Sequence, residues 1–272
     1  SFKEIKALSD NVEDIEIEAF VHGAMCMAYS GRCLLSNYFT NRDANRGACA
    51  QSCRWKYKIV EETRPGEYYP IEEDERGTYI FNSKDLCMIQ YIPELIESGV
   101  YSFKIEGRVK TSYYVGSVIK AYREAIDDYL KDPALYESKK DYYLEEVKKS
   151  SYRGYTTGFF FDKPNEESQV YTSNSYVRTY DFIGLVKEYD KETGFAIIEQ
   201  RNKFVVGEEI EFLTTKGKNF TQKVVEMYDM DGNRLEEAPH PQQIIKLKVD
   251  NEVSPFDMMR KESDNPVFPE DI

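Results

Sequence analysis

The chain of 272 residues is 41% apolar and 14% aromatic, enough to bury one large core or a core with a smaller appended domain. Charged residues make up 31% and are spread along the chain, and no apolar run approaches a membrane span, so neither a disordered chain nor a membrane partner is expected. A net charge of −13 opposes nonspecific nucleic-acid binding by the surface as a whole, and Ser1-Phe2-Lys3-Glu4 shows no basic and apolar secretion signal.

There is no initiator Met, and a strand-like run begins soon after the start, as expected of a piece whose N-terminal part is missing. The alternation Ile15-Glu16-Ile17-Glu18-Ala19-Phe20-Val21 predicts a strand, followed by the small-residue turn His22-Gly23-Ala24-Met25-Cys26. Residues 40–82 are loop-rich, and a loop of that length inside a compact domain is usually functional. Ser83 predicts the cap of a short helix carrying Leu86 and Cys87, and Pro93–Ser98 a second one closed by Gly99. Val100–Glu106 reads as a strand ending at Gly107-Arg108. From Ser112 the apolar residues Val115, Val118, Ile119, Tyr122, Ile126 and Tyr129 follow the helical period, with Pro133 marking the end. This is an α/β rhythm, in which chemistry gathers at the carboxyl ends of strands, where both the Cys26 turn and the Glu106-Arg108 turn lie. A helix of mixed charge is expected near 138–150 and a linker over 161–180. Short strands at Ile183–Val186, Phe195–Ile198, Glu209–Phe212 and Ile244–Leu247 predict a small antiparallel β-barrel over 181–255. Residues 256–272, closing in Pro and acid, read as a tail.

Five cysteines, Cys26, Cys33, Cys49, Cys53 and Cys87, crowd the first third of the chain. An odd count in a large chain without a signal points to reduced thiols and a cytoplasmic setting. The pattern C-x6-C-x15-C-x3-C-x33-C lacks the C-x2-C knuckles of structural zinc. An iron–sulfur cluster, zinc and unligated core thiols all stay open on spacing. Over 31–60, Arg32, Arg42, Arg46, Arg54, Lys56 and Lys58 face Asp43 alone, an excess of five positive charges suited to a cluster, a small anion or phosphate, though a solvated loop is the plainer reading. A zinc peptidase of the H-E-x-x-H kind needs two histidines on one helix, whereas His22 and His240 fall in different domains. No G-x-S-x-G elbow is present, and His22, alone at a strand end, is more simply structural than a partner of Cys26 or a serine. Glu72, Glu73 and Asp74 read as a solvated loop.

The stretches Glu18–Cys26, Tyr29–Ser36, Asn45–Arg54, Ser83–Cys87 and Lys104–Arg108 resemble peptidase family U32 over most of the first 160 residues, and 181–250 resembles that family's C-terminal domain. The resemblance implies a partial TIM-like barrel over 1–160, of which only the later strands are present. It also implies activity on RNA: members once named collagenase-like proteases include hydroxylases of the tRNA wobble uridine, with prephenate as a co-substrate and a four-iron (4Fe-4S) cluster. By the same resemblance Cys26, Cys33, Cys49 and Cys87 are the expected ligands, with Cys53 as alternate to Cys49 and zinc as the alternative metal. Arg42, Arg46, Arg54, Lys104 and Arg108 are the expected contacts to an anionic substrate or tRNA phosphate. Glu106 is expected as a general acid/base or as a partner to Arg108, beside His22. A U32 peptidase and a non-catalytic RNA- or protein-binding module are the competing readings.

Overall fold

The computed structural model describes residues 1–26, 33–55, 58–59, 69–70, 83–162, 168, 170 and 176–268. Glu72, Glu73, Asp74, Arg32, Lys56 and most of the expected linker lie outside the described residues. The chain divides into two compact units, one of 1–115, 121–177 and 268–272, the other of 116–120 and 178–267.

The first unit opens with helix α1 (Phe2–Asn11), which the sequence reading passes over. Its start is a capping box: Ser1 Oγ accepts the Glu4 backbone N–H at 3.4 Å, and the Glu4 carboxylate takes the Ser1 ammonium at 2.7 Å. Then follow β1 (Ile17–Gly23), α2 (Leu35–Thr40), β2 (Asp85–Cys87), α3 (Ile92–Glu97), β3 (Val100–Ile105), α4 (Ser112–Lys131), α5 (Pro133–Ser138), α6 (Lys140–Lys148) and β4 (Tyr155–Thr156). The sheet order is β3-β1-β2-β4. β1 is parallel to β3 as a barrel would have it, but β2 runs antiparallel to β1. The described strands therefore make a mixed sheet with helices; the α/β class holds, and a TIM-like barrel is not established by it.

Leu86 and Cys87 are on a strand, not the expected short helix. β2 is buried throughout, inserted between β1 and β4, and Met88 N–H continues it by donating to Val21 O at 3.0 Å. Helix α4 starts where expected, with Thr111 Oγ1 accepting Tyr114 N–H at 3.2 Å. Its buried face is turned from the expected one: Tyr114, Val118, Ala121, Tyr122 and Ala125 are buried, whereas Ile119 is exposed. Pro133 ends α4 and opens α5, where Asp132 Oδ1 caps Ala134 N–H at 3.0 Å.

The second unit is antiparallel. Its strands are β5 (Arg178–Asp190), β6 (Phe195–Gln200), β7 (Glu209–Leu213), β8 (Phe220–Lys223), β9 (Met227–Tyr228), β10 (Arg234–Leu235), β11 (Ile244–Lys248) and β12 (Met258–Val267), in the order β8-β7-β12-β5-β6-β11-β9-β10. One core holds Ile183, Ile198, Phe212, Met227, Leu247 and Met259 together, so the sheet must curl around it, helped by register shifts at Val186/Glu188 and Met259/Arg260. All four predicted strands are found. The expected tail over 256–272 is corrected: β12 is an interior strand between β7 and β5. It carries Arg260, fully buried, whose Nε and Nη2 donate to the Glu211 carboxylate at 2.8 and 2.9 Å. Lys261 Nζ reaches Glu208 at 2.7 Å and Asp264 at 3.0 Å.

Candidate active site

β1 and β3 lie in parallel register and end at the same edge, at His22-Gly23 and Ile105-Glu106. Glu106 N–H donates to His22 O at 2.8 Å, locking the two ends together. The junction requires glycine: Gly23 has φ +114°, and a Cβ there would lie 2.4 Å from Glu106 O. Gly23→Ala should therefore cost about 1–3 kcal/mol of stability and push the Glu106 turn outward. A melting temperature unchanged in Gly23→Ala would show that the close approach is not real.

His22 is buried at this edge. Its Nδ1 faces the Tyr122 hydroxyl at 3.4 Å, and the rings of Tyr122 and Tyr155 stand 5.5 Å away, that of Tyr114 6.1 Å. The Tyr122 hydroxyl also donates to Val21 O at 2.8 Å and accepts Met88 N–H at 3.0 Å, clamping β1 to the end of β2. Burial, helped by the nearby Lys110 charge, pushes the His22 imidazolium down to about 3, so the ring is neutral at pH 7. Lys110 Nζ lies 4.8 Å from the Tyr114 ring centre and 4.0 Å from that of Tyr176, which Arg153 approaches at 4.1 Å. Among the described residues, His22 Nε2, Tyr114 OH and Lys110 Nζ are buried without a hydrogen-bond partner. Buried polar atoms are ordinarily paired, so three together mark a place where a polar ligand or water belongs. Only His22 of this group is singled out by the sequence reading. The signal for Tyr114 and Tyr122 is their eight-residue spacing on one helical face; for Lys110, Arg153 and Tyr176 no local pattern points to the site.

Cys87 is buried on β2, in register with His22, and burial pushes its thiol up to about 12. The two shifts together disfavour a thiolate–imidazolium pair. Cys26 is exposed just beyond β1, Cys33, Cys49 and Cys53 are partly buried, no disulfide joins any of the five, and Cys49 Sγ accepts Gln51 N–H at 3.3 Å. Among the described residues, no three Cys, His, Asp or Glu side chains surround one point where a metal ion would sit. Of the expected basic contacts, Arg108 folds onto the 3-10 turn at Ala44–Arg46, with Nη1 3.5 Å from Ala44 O. Glu106 Oε1 accepts Arg108 N–H at 3.0 Å. Arg42 is exposed, and Arg46 lies 3.5 Å from Asp43. Lys104 instead pairs with Glu18 at 2.7 Å across β1 and β3, and that bond holds the Glu18 carboxyl below its ordinary range. The Arg54 side chain lies outside the described residues.

Residues 1–170 match peptidase family U32, and residues 178–260 match the peptidase family U32 C-terminal domain. The chain is 45% identical over 258 residues to tRNA hydroxylation protein P1 of Bacillus subtilis, covering 95% of the chain and 60% of that protein. It is 36% identical over 290 residues to tRNA hydroxylation protein P of Escherichia coli, covering 92% and 62%. It is also 32% identical over 247 residues to a collagenase of Porphyromonas gingivalis, covering 90% and 65%. The chain thus spans about three fifths of the length of the first two relatives, 60% and 62%. With both of its units matched, the chain belongs to peptidase family U32.

Proposed function

We propose that this chain is part of a tRNA hydroxylase that converts the wobble uridine to 5-hydroxyuridine in the cytoplasm, with a TIM-like barrel completed by residues beyond those present. The observation that carries this reading is the 45% identity, over 95% of the chain, to a protein named for tRNA hydroxylation. The strand-end site supports it. A neutral His22, the Tyr114 hydroxyl and the Lys110 ammonium offer polar contacts out of bulk water, and Lys110 with Arg153 supplies positive charge for a small anionic co-substrate such as prephenate. In this reading the neutral His22 Nε2 hydrogen-bonds the substrate, its imidazolium being held too low for it to be a strong base, and Glu106 is the candidate that moves a proton.

The cofactor of this reading is a 4Fe-4S cluster on Cys26, Cys33, Cys49 and Cys87, with Cys53 as alternate and zinc as the other metal. The donor chemistry fits, since five reduced thiols are soft ligands beside a basic segment. Among the described residues the fit is one of chemistry and not of assembled geometry. Such a cluster supplies one-electron chemistry when bound. No helix among the described residues is long and apolar enough to cross a membrane.

The relative named a collagenase keeps the peptidase reading in view. Against it, among the described residues the His22 imidazole faces the Tyr122 hydroxyl and not a serine or cysteine nucleophile or an orienting carboxylate. A barrel that docks RNA by charge is also disfavoured, because 178–267 holds 18 acidic against 13 basic residues.

The test is nucleoside analysis of tRNA from cells lacking the gene. Loss of 5-hydroxyuridine, restored by a plasmid copy, is the expected result. Unchanged tRNA together with gelatin cleavage by the purified protein would transfer the assignment to the peptidase.

A further inference from the structure

The segment 34–55 combines cations with exposed rings in an ordered frame. Ser36, fully buried, accepts Ala50 N–H at 2.9 Å; Asn37 donates to Asp43 at 2.7 Å; and Tyr176 OH donates to Gln51 Oε1 at 3.0 Å. On this frame Tyr38 is 81% exposed, and Phe39 and Trp55 remain nearly half exposed. The three rings are contiguous, with centres 5.2 Å apart for Tyr38–Phe39 and 6.0 Å for Phe39–Trp55. Arg42 and Arg46 stand in the same segment, and Arg108 is drawn to it through Ala44. An exposed aromatic patch of this kind marks an interaction surface.

We infer that Tyr38, Phe39 and Trp55 form a stacking platform for unpaired bases of an RNA loop, while Arg42, Arg46 and Arg108 take the flanking phosphates. This rests on tRNA being the substrate and names where its loop docks. Charge selects the occupant: the surrounding 31–60 carries an excess of five positive charges in a chain of net −13, which suits a polyanion. Ring faces select its state, because bases in a duplex are already stacked on each other whereas loop bases are free to lie on aromatic side chains.

Trp55 is the single tryptophan of the chain and so reports on the platform directly. Its emission should be quenched by an anticodon stem-loop and left unchanged by a blunt duplex of equal length. Tyr38→Ala should weaken stem-loop binding roughly tenfold without altering the slope of log Kd against log salt. Arg42→Gln with Arg46→Gln should reduce that slope by about 0.7 for each phosphate that is no longer neutralised. Tyr38 is so exposed that its truncation leaves the melting temperature in place, which separates stacking from folding. If the wild-type chain binds tRNA but Trp55 does not respond and Tyr38→Ala binds normally, the platform is overturned while the tRNA reading stands. If the wild-type chain binds no tRNA, the reading itself falls. A self-association dissolved by Tyr38→Ala, with RNA binding unaffected, would assign the patch to a second copy and overturn the inference.

Discussion

Glu211→Ala is expected to lower the unfolding free energy by about 3–5 kcal/mol, read from urea denaturation followed by circular dichroism. Arg260 has no exposed surface, and two of its guanidinium nitrogens donate to the Glu211 carboxylate. Removing that carboxylate leaves a buried positive charge without its bidentate counter-ion, and the desolvation already incurred is no longer offset. The pair also sits where β7 meets β12, Glu211 opposite Arg260, so the loss falls on an interior strand pairing. Glu211→Gln, which keeps an acceptor but not the charge, should fall between. The double variant Glu211→Leu with Arg260→Met should recover most of the loss, because two apolar side chains need no partner. If the double variant is as unstable as the sum of its singles, the two groups are not coupled and the explanation fails.

The same strand shows where sequence reading stops. In β5, β6, β7 and β11 the apolar residues stand at strand positions such as Ile183, Ile198, Phe212 and Leu247, and all four strands are legible. β12 reads as a tail because Arg260-Lys261-Glu262 and Pro266 carry the marks of solvent. Glu211 from β7 offsets Arg260, and Glu208 with Asp264 offsets Lys261; no local pattern reports the glutamates some fifty residues upstream. β2 is similar: three residues are too few for a period, and the strand exists because β1 and β4 flank it. α1 differs, since its S-x-x-E capping box is visible in Ser1-Phe2-Lys3-Glu4. At the site, His22 is legible from its place after an alternating run. The tyrosines around it come from residues 114, 122 and 155, which only the fold brings together.

Anaerobic reconstitution with iron and sulfide should yield a brown protein holding about four iron per chain, and Cys26→Ala should come out colourless. Cys26 is the most informative position because it is exposed at the end of β1. A surface substitution there should move the stability of the metal-free chain by no more than about 0.5 kcal/mol, so lost iron with an unchanged melting temperature of that metal-free chain means a lost ligand. Cys87→Ala tests the buried end of the set, but its effect on iron must be read against its own melting curve because it lies inside β2. Alkylation gives an independent readout. In the metal-free chain Cys26 should react first and Cys87 last, since the thiolate is the nucleophile and burial holds the Cys87 thiol up at about 12. With the cluster in place four thiols should be shielded, and the one still labelled, Cys53 or Cys49, is the spare. Four shielded thiols around one zinc would change the metal and keep the site. Five thiols that react at the same rates with and without iron, in a colourless protein, would remove the cysteines from the chemistry and leave the His22 edge to account for it alone.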